Sequence, residues 1–262
     1  MCMQKRKLRD FKEELNVVHV SRRERLASRF SSKGNQIKWR SGDKFVKLNC
    51  LGNENIAETL VSWFLHFTNI KEEDYVDYFS CMIYEDGKRL GIGCYSYDFV
   101  KEYEEITIKD LLNAGLRSFS ISYDDLREFL IDEIKLDIKN YIDRILCVDS
   151  IVRNDDRHFD NISFLYKDGV YKPAPIFDNG SSCMSDIFSY PFEVDFDINY
   201  TSIQAKPFRA DFKSQIGYVD RLIVDYDGFI NSIQFDAQES IRALEVIKRG
   251  LAEMEGISWE RS

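Results

Sequence analysis

The sequence predicts an α+β chain of two lobes: a small lobe with a twisted antiparallel sheet and one helix, then a larger, mainly helical lobe. Three observations lead there. Short segments with period-two alternation crowd residues 17–96 and are interrupted by a single helical pattern. Three- and four-residue spacing of apolar side chains dominates residues 97–262. The chain has 262 residues, 44% of them hydrophobic, with no internal repeat and no low-complexity linker. That suffices for two tightly joined lobes around a cleft.

Taken in order, residues 1–14 read as a short polar helix or a frayed arm, and 17–20 as a strand. Residues 30–36, Phe-Ser-Ser-Lys-Gly-Asn-Gln, form a turn-rich loop that runs into a strand alternating at Ile37 and Trp39. Small side chains let backbone N–H groups approach an anion and Lys33 adds charge, so the loop suits phosphate; with its one glycine, Gly34, it is no Walker A, and a plain turn has the same composition. Ser41-Gly42-Asp43 is a turn, and 44–48 a strand with Lys47 near its end. A helix over 55–67 places Ile56, Leu60, Trp63, Phe64 and Phe67 on one face. Strands over 78–84 and 89–95 flank a tight turn at Glu85-Asp86-Gly87-Lys88, and Ser96-Tyr97-Asp98-Phe99 is the expected hinge between lobes.

In the second half, 102–114 and 123–136 are helical by pattern. Another helix over 138–152 places Ile142, Ile145, Leu146, Asp149 and Ile151 in one register and ends near Asn154, because Asn-Asp-Asp is good loop material. Residues 162–166 form a strand, Lys167-Asp168-Gly169 a turn, and Val170-Tyr171 the start of the return strand. Residues 181–200 show no clear period. Closing helices are expected over 218–226 and 237–254, the latter with Ile241, Leu244, Ile247 and Leu251 on one face.

The chemistry-bearing residues lie around that hairpin. Asp156 and Asn161 form an Asp-x-x-x-x-Asn in the loop before it, and Asp178 follows it in Phe-Asp-Asn-Gly. A hairpin returns its ends to nearly the same place, which sets Asp178 beside Asn161. Phosphoryl transfer needs one carboxylate to orient the attacking hydroxyl and accept its proton, and a carboxamide with a second carboxylate to hold Mg²⁺ against the phosphates. Asp156, Asn161 and Asp178 suit those roles in that order. A strand Lys followed by a helix Glu grips the α- and β-phosphates; Lys47 with Glu58 fits, with Glu54 as the competitor that would serve the helix N-terminus instead. Backbone groups of Cys94 to Ser96 would bind an adenine packed between apolar side chains.

Asp155-Asp156-Arg157-His158-Phe159-Asp160-Asn161, followed by Pro175-Ile176-Phe177-Asp178-Asn179-Gly180, resembles the HipA-like kinases, a family of bacterial Ser/Thr protein kinases often encoded as toxins of toxin–antitoxin pairs. The Asp-Arg-His-x-x-Asn run is also similar to the catalytic loop of phosphatidylinositol 3- and 4-kinases. Ordinary eukaryotic protein kinases place Lys two residues after the base, where this chain has His158. The resemblance runs from about Arg29 to about Phe208. It implies a two-lobed, protein-kinase-like fold, use of ATP and Mg²⁺, a protein substrate and an antitoxin partner. Ser31, Gly34, Gln36 and Lys38 match the family's phosphate-covering Ser-x-x-Gly-x-Gln-x-Lys loop, and Ser31 with its neighbour Ser32 stands where some members autophosphorylate. His158 would bond the base or a phosphate, or brace the loop. Ala205-Lys206-Pro207-Phe208 resembles a segment of some relatives and receives no chemistry. HipA proteins usually carry an additional N-terminal subdomain, for which a chain of 262 residues reads as too short.

Composition narrows the rest. No apolar run approaches the roughly 18 residues of a membrane span, and the basic N-terminus has no apolar stretch behind it, so neither a membrane nor a secretory signal is read and a cytoplasmic place is expected. The six cysteines (Cys2, Cys50, Cys81, Cys94, Cys147 and Cys183) have no CxxC pair and read as reduced, mostly buried thiols. Residues 1–40 hold twelve Lys/Arg and four Asp/Glu, while the whole chain carries −9. A basic arm touching nucleic acid is therefore one reading, and a solvated helix face plus phosphate-facing residues of a nucleotide site the favoured one, because aromatic interleaving is sparse there and the acidic remainder repels nucleic acid. Three rivals to a protein kinase remain: a lipid or small-molecule kinase, a nucleotide-binding regulator without transferase activity, and a nucleic-acid-binding partner acting through residues 1–40. His19 and His66 read as packed histidines in apolar settings.

Overall fold

The computed structural model describes residues 8–9, 15–26, 36–208, 211–215 and 222–253. The chain begins with β1 (Leu8–Arg9) and β2 (Asn16–Val20), then the hairpin of β3 (Lys38–Ser41) and β4 (Lys44–Leu48). Next come α1 (Glu54–Leu65) and a second hairpin, β5 (Phe79–Glu85) with β6 (Lys88–Tyr97). The second half contains β7 (Glu104–Thr107), α2 (Ile108–Ala114), α3 (Tyr123–Ile134) and α4 (Lys139–Val152), followed by the hairpin of β8 (Ser163–Lys167) and β9 (Val170–Pro173). It closes with α5 (Phe196–Ser202), α6 (Phe212–Gln215), α7 (Tyr226–Asn231), β10 (Ile233–Gln234) and α8 (Gln238–Glu253).

The first sheet has the order β2-β5-β6-β4-β3. Its hairpins are antiparallel, but β2 joins the edge of β5 in parallel, which period-two patterning alone does not reveal. One face buries Val18, Val20, Trp39, Val46, Cys81 and Ile83. On the other, Ser80 bonds to Asn55 and Thr59 of α1, so the helix is docked by hydroxyl and amide groups as well as by apolar contact. Gly93 sets the spacing of β4 and β6: a Cβ there would lie 2.0 Å from the carbonyl oxygen of Lys47.

Helix α1 belongs to the same hydrophobic cluster as the helices of the second half. Ile56, Leu60, Phe64 and Leu65 pack with Leu112, Leu130, Leu146 and Ile151. A shared core of this kind makes the position of α1 a property of the whole molecule. Helix α8 comes so close to the end of α4 that a Cβ at Gly250 would meet the carbonyl oxygen of Ile151 at 2.0 Å.

Five expectations need correction. Residues 104–107 of the presumed helix over 102–114 are strand β7, which pairs with β8; Ile106 and Thr107 are β-branched, and Thr107 caps α2 in a capping box with Asp110. The helix expected over 218–226 instead begins at Tyr226, where Asp225 accepts from the backbone of Gly228; residues 216–221 lie outside the described part. The buried face of α8 is Ser240, Ala243, Val246, Ile247, Gly250 and Leu251, with Ile241 exposed, because small residues permit the close approach to α4. Of the N-terminal arm, Leu8–Arg9 pairs in parallel with β10; the other residues of 1–14 lie outside the described part. His19 is exposed beside Tyr84, and His66 is ion-paired, its Nε2 2.9 Å from Asp77 and its Nδ1 2.8 Å from the Tyr75 hydroxyl.

The Asp77 hydrogen bond raises the His66 pKa above 6.5 against the opposing effect of burial. A raised folded-state pKa means tighter proton binding by the folded chain, so the stabilisation is fully present below about pH 6.5 and is lost as pH rises through the folded value. His66→Gln is expected to lower the melting temperature more at pH 5.5 than at pH 9. Equal losses at both would overturn this account.

Among the described residues no helix is long and apolar enough to cross a membrane. The described cysteines, Cys50, Cys81, Cys94, Cys147 and Cys183, are all free, and all but Cys50 are buried.

Candidate active site

The site begins at the end of α4. Arg153 takes a left-handed conformation (φ 55°) and turns the chain out of the helix, and Asn154 holds the exit by donating to Asp149 at 3.1 Å. The next four residues lead to a fully buried guanidinium. Arg157 bonds Asp149 through Nε and Nη2, each at 2.9 Å. Its Nη1 reaches the carbonyls of Asn161 (3.1 Å) and Phe177 (2.8 Å), and its Nη2 also reaches the Asn179 side chain at 2.9 Å. One side chain thus ties the end of α4, the loop at 154–162 and the segment after β9 together. The β8–β9 hairpin closes the circuit by returning the chain to Asp178.

Lys47 projects from β4 between two carboxylates. Its ammonium donates to Glu58 Oε1 at 2.6 Å and to Asp178 Oδ1 at 2.8 Å, and it lies 5.0 Å from the centre of the Tyr78 ring. Glu58 also accepts from the backbone of Asn179 at 2.9 Å, which fixes α1 to the segment carrying Asp178. Lys38 adds a second ammonium 3.5 Å from Asp178 Oδ2. Of the two candidate glutamates, Glu58 pairs with Lys47, whereas Glu54 accepts from the backbone of Cys50 and Leu51. Asp178 itself has φ 57°, a left-handed conformation that Asp tolerates better than most side chains.

The charges follow from these contacts. Burial pulls the Lys47 pKa down, but Asp178 and Glu58 push it further up, so the net result is well above the ordinary value. Burial drives the Glu58 carboxyl upward against Lys47. Burial also works to raise Asp178, yet Lys38 and Lys47 overcome it and hold this carboxyl well below the usual range. Asp178 is therefore ionised at neutral pH.

Asp156 and Asn161 are nearly buried in the loop after α4. Asn161 donates its amide to the Asp156 carbonyl at 3.1 Å, leaving its amide oxygen as the group a cation would use. His158 braces the loop: its Nδ1 accepts from the backbone of Asp160 at 3.2 Å, and its carbonyl accepts from that of Asn161 at 2.8 Å. Its Nε2 is buried, 3.8 Å from Asp156 and without a hydrogen-bond partner among the described residues. Burial depresses its pKa below 6.5 against the pull of Asp156 and Asp160.

Between the lobes lies a cleft of about 920 Å³. Phe45, Val46, Phe99 and Phe177 give it apolar walls, and Lys47, Asn161 and Asp178 line its polar end. The rings of Phe99 and Phe177 lie 5.3 Å apart. Ser96 faces this space, but Cys94 does not line it. Cys94 sits within the ladder, opposite Lys47 on β4 and Ser80 on β5, with its thiol in the cluster of Val76 and Tyr78. Pairing with β5 ends at Phe79, opposite Tyr95, one residue before Ser96. Gln36 borders a smaller recess with Glu54, Asp178 and Gly180. Ser31, Ser32 and Gly34 lie outside the described residues.

Four participants were not assigned a role from the sequence. Arg157 was legible only as part of a motif, although the carboxylate of Asp149 in a core-facing register signalled a buried cation. Lys38 belonged to a loop pattern. Glu105 enters the cleft because β7 is a strand, and it accepts from Ser163 at 2.9 Å. Lys206, from the segment left without chemistry, lies 3.4 Å from Asp156 Oδ1.

Comparison with known structures agrees with this architecture. The chain is similar to the Helicobacter pylori proinflammatory kinase CtkA, with a TM-score of 0.53 and 18% identity over 90% of this chain and 83% of that one. HipA of the Shewanella oneidensis MR-1 toxin–antitoxin system, solved with HipB and operator DNA, aligns with 81% of this chain and 52% of its own at 12% identity and a TM-score of 0.38. No family model and no curated protein matches the chain. The likeness to CtkA establishes a kinase-like fold, in line with the HipA-like resemblance of the motifs.

Proposed function

We propose, from this kinase-like fold, that the chain is an ATP- and Mg²⁺-dependent protein kinase acting on Ser or Thr hydroxyls. The observation that carries the reading is the meeting of Lys47, Glu58 and Asp178 at the polar end of an apolar-walled cleft that also holds Asn161. In this reading Lys47, steadied by Glu58, grips the α- and β-phosphates. Val46, Phe99 and Phe177 enclose the base, with backbone from Ser96 onward along its edge. Asp156 orients the acceptor hydroxyl and takes its proton.

The donor set suits Mg²⁺, which takes one or two protein oxygens and completes its shell with phosphates and water. Asp178 and the amide oxygen of Asn161 are such donors. Among the described residues no cluster of three or more His, Cys, Asp or Glu forms a metal cage. When bound, the cation would neutralise phosphate charge. Lys38 and Lys47 both pair with Asp178.

The test is intact mass after incubation with ATP and Mg²⁺, beside calorimetry of nucleotide binding. A gain of phosphate on the chain or on an added protein acceptor is the expected result, with peptide mapping asking whether Ser31 or Ser32 carries it. Absence of nucleotide binding would sink the reading.

A further inference from the structure

Resting on the kinase reading, we propose that Lys206 is a catalytic residue that supplies a cation to the transferring phosphoryl group on the acceptor side of the site. Lys38 and Lys47 are both on Asp178, at the nucleotide end of the cleft. Arg157 is fully buried and occupied by Asp149, two carbonyls and Asn179. The position two residues after Asp156 holds an imidazole beyond hydrogen-bond reach of it, at 3.8 Å. Lys206 brings an ammonium to 3.4 Å from Asp156 Oδ1 from fifty residues further along the chain.

The segment that carries it is anchored. Ile203 and Ala205 are buried on one side of Lys206, and on the other the Phe208 ring lies 5.8 Å from Phe159 of the loop and 5.5 Å from Tyr123 of α3. Lys206 itself keeps about half its side chain in solvent (49%), so its head is open to an incoming phosphoryl group. An exposed lysine beside a carboxylate is ordinarily worth little to stability. Here the carboxylate is only 7% exposed and is the proposed base.

In the transfer, the acceptor oxygen bonds to the γ-phosphorus while the bond from phosphorus to the bridging oxygen breaks. The electron pair leaves with ADP, and the hydroxyl proton passes to Asp156. The acceptor oxygen lies between the base and the phosphoryl group, so two anions converge there. An ammonium beside Asp156 offsets that repulsion and donates to the phosphoryl oxygens, keeping its own protons throughout.

Two measurements test this. In steady-state assays, Lys206→Met is expected to lower kcat about 10²-fold with KM for ATP nearly unchanged, and Lys206→Arg to recover much of the loss. A kcat for Lys206→Met within about twofold of wild type would overturn the assignment. Calorimetry of ADP, Mg²⁺ and aluminium fluoride, a mimic of the transferring phosphoryl group, requires no turnover. The fluoride adduct should bind Lys206→Met at least about tenfold more weakly than wild type, with ADP alone unaffected. Equal binding of the adduct to both overturns the role of Lys206 and leaves the kinase reading standing. Failure of wild type to bind ADP at all removes both.

Discussion

Asp156→Asn should reduce phosphoryl transfer by about 10²- to 10⁴-fold, the usual contribution of a positioned general base, while ADP binding stays near wild type. The amide matches the carboxylate in size, and the loop is held by groups other than its carboxyl: the Asp156 backbone donates to Asn154 at 3.1 Å and accepts from Asn161 at 3.1 Å. The nucleotide end depends on Lys47, Glu58 and Asp178, which this change does not touch. Rates from intact mass or radiolabel, with calorimetry of ADP on the same preparations, would check both halves. Undiminished transfer would remove Asp156 from the chemistry. Loss of ADP binding would mean that the loop had been disrupted instead.

Arg157→Met is expected to be the most destabilising single change proposed here. It leaves the Asp149 carboxylate, 0% exposed, without its cation, and it removes the donor from the carbonyls of Asn161 and Phe177. Burial already pushes the Asp149 pKa upward, with Arg157 opposing. Breaking a buried pair from one side costs about 3–5 kcal/mol, which for a chain of this size lowers the melting temperature by on the order of 10 °C. Adding Asp149→Leu should restore a good part of that stability, since an apolar pair of similar volume can replace buried charges. Transfer should remain lost in the double variant, because the loop and the segment after β9 still lack their common donor. Recovery of activity together with stability would show that Arg157 only holds the fold.

Much of the site was legible in local sequence. The spacing from Asp156 to Asn161, the hairpin and the return at Asp178 are properties of one continuous stretch, and hairpins bring their ends together whatever surrounds them. Period-two and helical patterns located β4, α1, β5, β6 and α4 to within a residue or two, because each of these elements turns a definite apolar face to a core. The order of a strand Lys and a helix Glu was visible in the same way.

What required the tertiary structure were contacts between segments distant in sequence and the places where local preference lost. The choice of Glu58 over Glu54 depended on how α1 sits in a core shared with the second half. Strand β7 exists because β8 offers an edge, and only as a strand does it deliver Glu105 to the cleft. The buried face of α8 is written in Ser240, Ala243 and Gly250, whose value is closeness to α4 and not hydrophobicity. Arg157 and Lys206 carry no pattern that announces a partner. A charged side chain's role is set by which opposite charge the fold brings within a few ångströms, and for Lys206 that partner is Asp156, fifty residues back along the chain.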